Sequence, residues 1–153
     1  MINDLRFRIW EFRFCIVSCF LILVFMLSCN QPKTSDSNKF TNYFRQGELL
    51  YTKHCSNCHQ ADGSGLGRLY PPLKQSDYMN ENFEQVLCLM RNGIQGELTV
   101  NGVQYNQAMP GVPTLTDLEI AEITTYIYNV WDNERGLVDV KEAERILNTC
   151  GRE

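Results

Sequence analysis

Two thiols and an imidazole stand together in Cys55-Ser56-Asn57-Cys58-His59, a C-x-x-C-H spacing. On a helical turn, residues three apart share a face, so both thiols can reach one bound group. The next residue then projects its imidazole beside them. This is the pattern for covalent attachment of a c-type haem: Cys55 and Cys58 take its two vinyl groups and His59 its iron. Two other chemistries use the same residue types. A zinc site needs four ligands, usually as two clustered pairs, yet the chain has no second C-x-x-C or His pair, and Cys88 and Cys150 lie far apart. A thioredoxin-like dithiol expects a βαβ setting, and no strand pattern leads into this motif. One covalent haem is the reading.

The elements that must position this motif are mostly helical. Phe40, Tyr43, Phe44, Gly47 and Tyr51 fall on one face of a first helix that runs into His54-Cys55. Phe83, Val86, Leu87 and Met90 repeat at i, i+3, i+4, i+7, and Gly93 follows as a stop. Thr116-Asp117-Leu118-Glu119 is a capping box, opening a helix with Ile120, Ile123, Ile127 and Val130 on one side. Asp139 and Glu142 bracket a short last helix bearing Val140, Ala143 and Leu147. Leu98–Val100 and Val103–Tyr105 flank Asn101-Gly102, the dipeptide favoured in two-residue hairpin turns. The fold class expected is mainly α: a compact helical domain around a covalent haem, with one small β-hairpin.

The 153 residues predict one domain, and 44% hydrophobic residues suffice for a core. A formal net charge of −4 excludes the basic footprint of a nucleic-acid binder. Residues 1–28 are of another kind. Arg6, Arg8 and Arg13 precede an uncharged apolar run from Phe14 to Leu27, too short to span a membrane comfortably but fitting a signal-peptide core. The run ends Met26-Leu27-Ser28-Cys29, which resembles the processing site of bacterial lipoproteins, with Cys29 as the lipidated residue. An uncleaved short anchor, or a plain secretory signal cut elsewhere, are the alternatives. Residues 29–39 read as a flexible tether, 40–131 as the haem domain and 132–153 as a charged helical extension. The expected place is exported and lipid-anchored, facing the periplasm, with Asn30 after Cys29 resembling sorting to an outer membrane.

Between Phe40 and Trp131 the chain resembles the class I cytochromes c, small haem domains that carry electrons. Gly47 and Tyr51 match that family's first helix, where the glycine lets the first and last helices cross closely, and Ile123 and Tyr126 match the crossing helix. Pro71-Pro72-Leu73, twelve residues beyond His59, resembles the family's P-x-L. The resemblance implies that the Pro71 carbonyl accepts the Nδ1–H of His59 and that Leu73 packs on the haem. The Gly63-Ser64-Gly65-Leu66-Gly67 run lacks the strand and the Lys-Ser/Thr of a phosphate loop. It is expected to bend around the haem edge.

Three methionines outside residues 1–28, Met79, Met90 and Met109, compete for the sixth iron position. Met90 lies on an apolar helix face and reads as core. Met109 stands before Pro110 in a loop, and residues before proline are pushed out of helix. The resemblance places the axial methionine in this M-P setting, so Met109 is the expected ligand and Met79 the alternative. His54 reads as a surface residue. Lys53, Arg68 and Lys74 flank the haem segment as a small basic rim.

A His/Met haem implies a one-electron carrier with redox-protein partners, in a membrane-attached respiratory chain. Two other readings remain: a haem subunit of a larger oxidoreductase, or a five-coordinate haem enzyme or gas sensor if Met109 does not bind iron. Of the seven cysteines, Cys15 and Cys19 leave with the signal, Cys29 takes lipid, and Cys55 and Cys58 take haem. Cys88 and Cys150 remain. In an oxidising compartment such a pair reads as a disulfide, with two buried thiols as the alternative.

Overall fold

A computed structural model describes residues 35–151. The expected signal segment with Cys15 and Cys19, the expected lipid acceptor Cys29 and the first part of the expected tether lie outside the described residues. The chain divides into two units, Met1–Asp36 and Ser37–Glu153, and apart from the first two residues of α1 every element below belongs to the second.

Six helices are described: α1 (Ser35–His54), α2 (Ser56–His59), α3 (Asp77–Glu81), α4 (Phe83–Asn92), α5 (Asp117–Ile127) and α6 (Val140–Leu147). Four short strands complete the set: β1 (Gly93–Ile94), β2 (Leu98–Val100), β3 (Val103–Tyr105) and β4 (Met109–Pro110). The architecture is mainly α. None of these helices is long and apolar enough to cross a membrane.

Helix α1 starts earlier than the composition of the tether suggests. Residues 35–39 are helical, with Asp36 in the first turn, where a negative charge complements the helix dipole. Lys39 also pairs with Asp139, the N-cap of α6, and lies over the Tyr43 ring. Helix α1 crosses α5 at Gly47, where a Cβ would stand 2.0 Å from the Glu122 carbonyl oxygen and 2.8 Å from the Tyr126 Cβ. Only a hydrogen fits there. Phe44, Tyr51 and Trp131 surround Tyr126 with ring centroids 5.2–6.0 Å apart, an edge-to-face cluster that closes this crossing.

Helix α5 opens with the expected capping box. Thr116 accepts from the Glu119 amide, and the Glu119 carboxylate accepts from the Thr116 amide. Ile120, Ala121, Ile123 and Ile127 are buried along it. The hairpin β2–β3 pairs Leu98 with Tyr105 and Val100 with Val103 around Asn101-Gly102. It docks on the start of α3 by reciprocal bonds: Asp77 accepts from the Asn101 amide, and the Asn101 side chain accepts from the Asp77 amide.

The C-terminal stretch does more than rest on this domain. Val138, Ala143 and Ile146 are wholly buried, and α6 packs on α4 and α5. Thr125 fastens the approach by both accepting from the Val138 amide and donating to its carbonyl. The Arg135 guanidinium lies 3.4 Å over the Phe83 ring. Cys88 of α4 and Cys150 are joined in a disulfide, with Cα atoms 5.6 Å apart.

Candidate haem site

Cys55 follows directly on the last residue of α1, and its amide donates to the Tyr51 carbonyl, so the helix runs almost unbroken into the motif. The Cys58 and His59 amides both turn back to the Cys55 carbonyl. His59 ends α2, and Gln60 then breaks the helix at φ 63°. Tyr51, 1% exposed, donates its hydroxyl to the Gln60 carbonyl at 2.6 Å and locks that turn.

His59 is 8% exposed, and its Nδ1 lies 3.0 Å from the Pro71 carbonyl oxygen. A carbonyl can only accept, so Nδ1 carries the proton and Nε2 keeps its lone pair. Burial pushes the His59 pKa below the ordinary range, against the opposing pull of the Pro71 carbonyl. The result is a neutral imidazole of fixed tautomer, the form a metal ligand requires.

Pro71 reaches that position through the glycine-rich loop. Gly63, Gly65 and Gly67 all have positive φ, a region open chiefly to glycine. The Gly65 amide donates to the His59 carbonyl, and the amides of Leu73 and Lys74 both donate to that of Gly63. A Cβ on Gly63 would strike the Trp131 ring at 2.6 Å. The loop therefore folds back against α2 and delivers Pro71 to the imidazole.

Several of these residues wall an apolar cavity that is partly open to solvent. Tyr51, Cys55, His59, Pro71, Leu73 and Met109 all line it, with Val86 and Met90 of α4 and Leu98 and Val100 of the hairpin. An adjoining space shares His59, Pro71 and Met109 and adds Cys58, Tyr70 and Tyr105. The site thus offers two thiols, one imidazole and three thioethers, among walls that are otherwise mostly hydrocarbon and aromatic. That donor set fits a haem held by thioethers.

The Cys55 thiol is poorly suited to dithiol redox chemistry. Burial, reinforced by Cys58, pushes the Cys55 thiol up to about 12. It is a neutral thiol, not the thiolate that attacks disulfides. Among the described residues no group of His, Cys, Asp and Glu could hold a zinc-type ion.

Met79 and Met90 also line the cavity, but both are buried helix residues within the core, 3% and 6% exposed. Met109 is different in setting: it lies on β4, opposite Ile94 of β1. That two-residue ladder was not foreseen, nor was α3, which carries Met79. Of the three basic residues flanking the motif, Lys53 adds a small attraction that helps hold Glu119 below its ordinary range, and Lys74 does the same for Asp62.

The fold and this donor set define a haem-binding electron-transfer domain. The comparisons with known proteins agree: residues 44–131 match the family model for cytochrome c. The chain is 30% identical over 95 residues to cytochrome c-552 of Thermus thermophilus, covering 58% of this chain and 70% of that protein. It is also 30% identical over 107 residues to the cytochrome c subunit of a quinone alcohol dehydrogenase from Gluconacetobacter polyoxogenes. That match covers 67% of this chain but only 22% of the subunit. The corresponding subunit of Gluconobacter oxydans is 27% identical over the same length. The chain belongs to the cytochrome c family, as a class I domain with covalently attached haem c.

Proposed function

We propose that this domain is a one-electron carrier whose haem iron is held between His59 and Met109. The observation that carries the reading is the shared cavity: His59, with its lone pair fixed by Pro71, and Met109, with its backbone fixed by Ile94, both line it. When bound, the haem supplies the electron storage, as iron alternates between two oxidation states. The chain supplies the rest. Cys55 and Cys58 would anchor the group, His59 and Met109 would supply its two iron ligands, and Val86, Leu73, Val100 and Tyr51 would exclude water. A soft sulfur ligand favours the reduced iron and raises the potential relative to a second histidine.

A second reading has an observation of its own. The dehydrogenase subunits contain this domain as a minor part of a longer chain, which supports a role inside a larger oxidoreductase as well as diffusion between partners. In either case the partners are redox proteins. The export signal and Cys29 favour attachment to a membrane on its periplasmic side, and a Cys29→Ser variant is then expected in the soluble fraction of lysed cells.

The ligation is tested with Met109→Ala. The haem should stay attached through acid acetone treatment, while the weak red absorption band of ferric Met-ligated haem disappears. The ferrous variant should bind carbon monoxide readily where the parent does not. Equal binding by both would leave a five-coordinate haem, and with it an enzyme or gas sensor, as the better account.

A further inference from the structure

Met109 begins a short arch, residues 109–117, at its near foot, and both feet rest on the last turn of α4 and the two residues after it. At the near foot, β1 and β4 pair Gly93 with Pro110 and Ile94 with Met109, and the Val112 amide donates to the Met90 carbonyl at 2.9 Å. Main chain lies on main chain there. A Cβ on Gly111 would stand 2.5 Å from the Arg91 carbonyl oxygen, and one on Gly93 2.4 Å from that of Met109. At the far foot, where the arch turns into α5, the tie is a side chain. Arg91 Nη2 donates to the Leu115 carbonyl at 3.1 Å and to the Asp117 carboxylate at 2.6 Å. The pair is partly buried, with side-chain exposures of 27% and 34%, so solvent screens it less than a surface ion pair. Among the described residues the buried Arg91 Nε has no hydrogen-bond partner, so the Nη2 bonds orient the guanidinium.

From this arrangement we infer that Arg91 is a positioning residue for the axial thioether. It closes the far foot of the arch onto the helix that walls the haem cavity, and so lowers the population of states in which Met109 has left the iron. Arg91 does not line the cavity, whereas its neighbour Met90 does. The last turn of α4 therefore combines pocket wall and arch anchor in successive residues. The inference rests on the reading of Met109 as ligand.

The test uses the haem-loaded protein and two variants, Arg91→Ala and Asp117→Asn, the second preserving the arginine's packing. In the ferrous protein carbon monoxide binds only after the thioether leaves, so its association rate reports the open population. That rate is expected to rise about tenfold or more in Arg91→Ala, which loses both Nη2 bonds, and by a smaller factor in Asp117→Asn, which loses the charge but keeps an accepting oxygen. The ferric red band should weaken while helix content stays unchanged. Arg135→Ala, which removes a stacking contact on Phe83, serves as the control: it should lower the denaturation midpoint and leave the carbon monoxide rate alone. Parental rates in Arg91→Ala, or in Asp117→Asn should the alanine variant not fold, would overturn the assignment. A Met109→Ala variant that binds carbon monoxide no faster than the parent would instead overturn the ligation reading itself.

Discussion

Gly47 is held to one hydrogen by the chain that crosses it. Alanine is favoured over glycine by about 1 kcal/mol in a helix interior. Here, however, the new Cβ meets the backbone of Glu122, which cannot swing aside as a side chain would. Overpacking costs about 1–3 kcal/mol, so Gly47→Ala is expected to destabilise despite its better propensity. The check is a lowered denaturant midpoint with an unchanged slope. At this scale the sequence was readable wherever chemistry is local. The C-x-x-C-H spacing names its own use, whereas the bond from His59 Nδ1 to the Pro71 carbonyl, at 3.0 Å, follows from the family resemblance and from no local pattern. Arg91 gave no such signal, because an arginine in the last turn of a helix already has a sufficient reason to be there in the dipole. Its partners lie 24 and 26 residues away.

Elements show the same division. The hairpin was legible because Asn-Gly specifies the turn, and α5 because Thr116 and Glu119 specify its start. Helix α3, five residues long, is too short to display a period, and the β1–β4 ladder joins segments whose pairing no local pattern encodes. The α5 cap also carries a pH prediction. Hydrogen bonds from Thr116, its backbone amide first, hold the Glu119 carboxyl below its ordinary 4.5, with His54 and Lys53 adding attraction. A carboxyl whose pKa is depressed by folding contributes stability that is present above the unfolded value and lost as pH falls through the folded one. Glu119→Gln, which keeps a capping oxygen but loses the charge, should therefore be slightly less stable than the parent at neutral pH. The difference should shrink on acidification below about pH 4.5. Thermal unfolding of both proteins across that range is the measurement, and a gap that does not narrow would remove Glu119 from the acid limb.

For the whole molecule, the end of the family match at residue 131 is not the end of the core. Trp131 and Asp132 take positive φ in succession, redirecting the chain so that Val138, Ala143 and Ile146 enter the interior. Composition alone marked residues 132–153 as a charged extension; the three buried positions are separated by charged residues that face out. The ion pair Arg145–Glu84 is exposed on both sides, 62% and 59%, and adds little. The disulfide closes a loop spanning 62 residues, and removing it with Cys88→Ser plus Cys150→Ser is expected to cost about 2–4 kcal/mol. The double variant should still fold with α6 in place, because the buried side chains remain. Denaturant unfolding together with near-ultraviolet dichroism checks both halves of that expectation.

The two walls of the cavity differ in how they are held. Helix α4 faces it with Val86, Leu89 and Met90 and is fixed from behind by Cys88 and α6. The hairpin faces it with Leu98 and Val100, yet consists of three-residue strands whose docking bonds to Asp77 are solvent-exposed. Opening free energies follow such differences in burial. Amide protons of the hairpin should therefore exchange with deuterium through local opening, well ahead of those in the middle of α4, which wait for global unfolding. Hydrogen-exchange mass spectrometry on peptides covering 98–105 and 84–90 would read this as one breathing wall and one rigid one. Small molecules would then enter the iron's surroundings from the hairpin side.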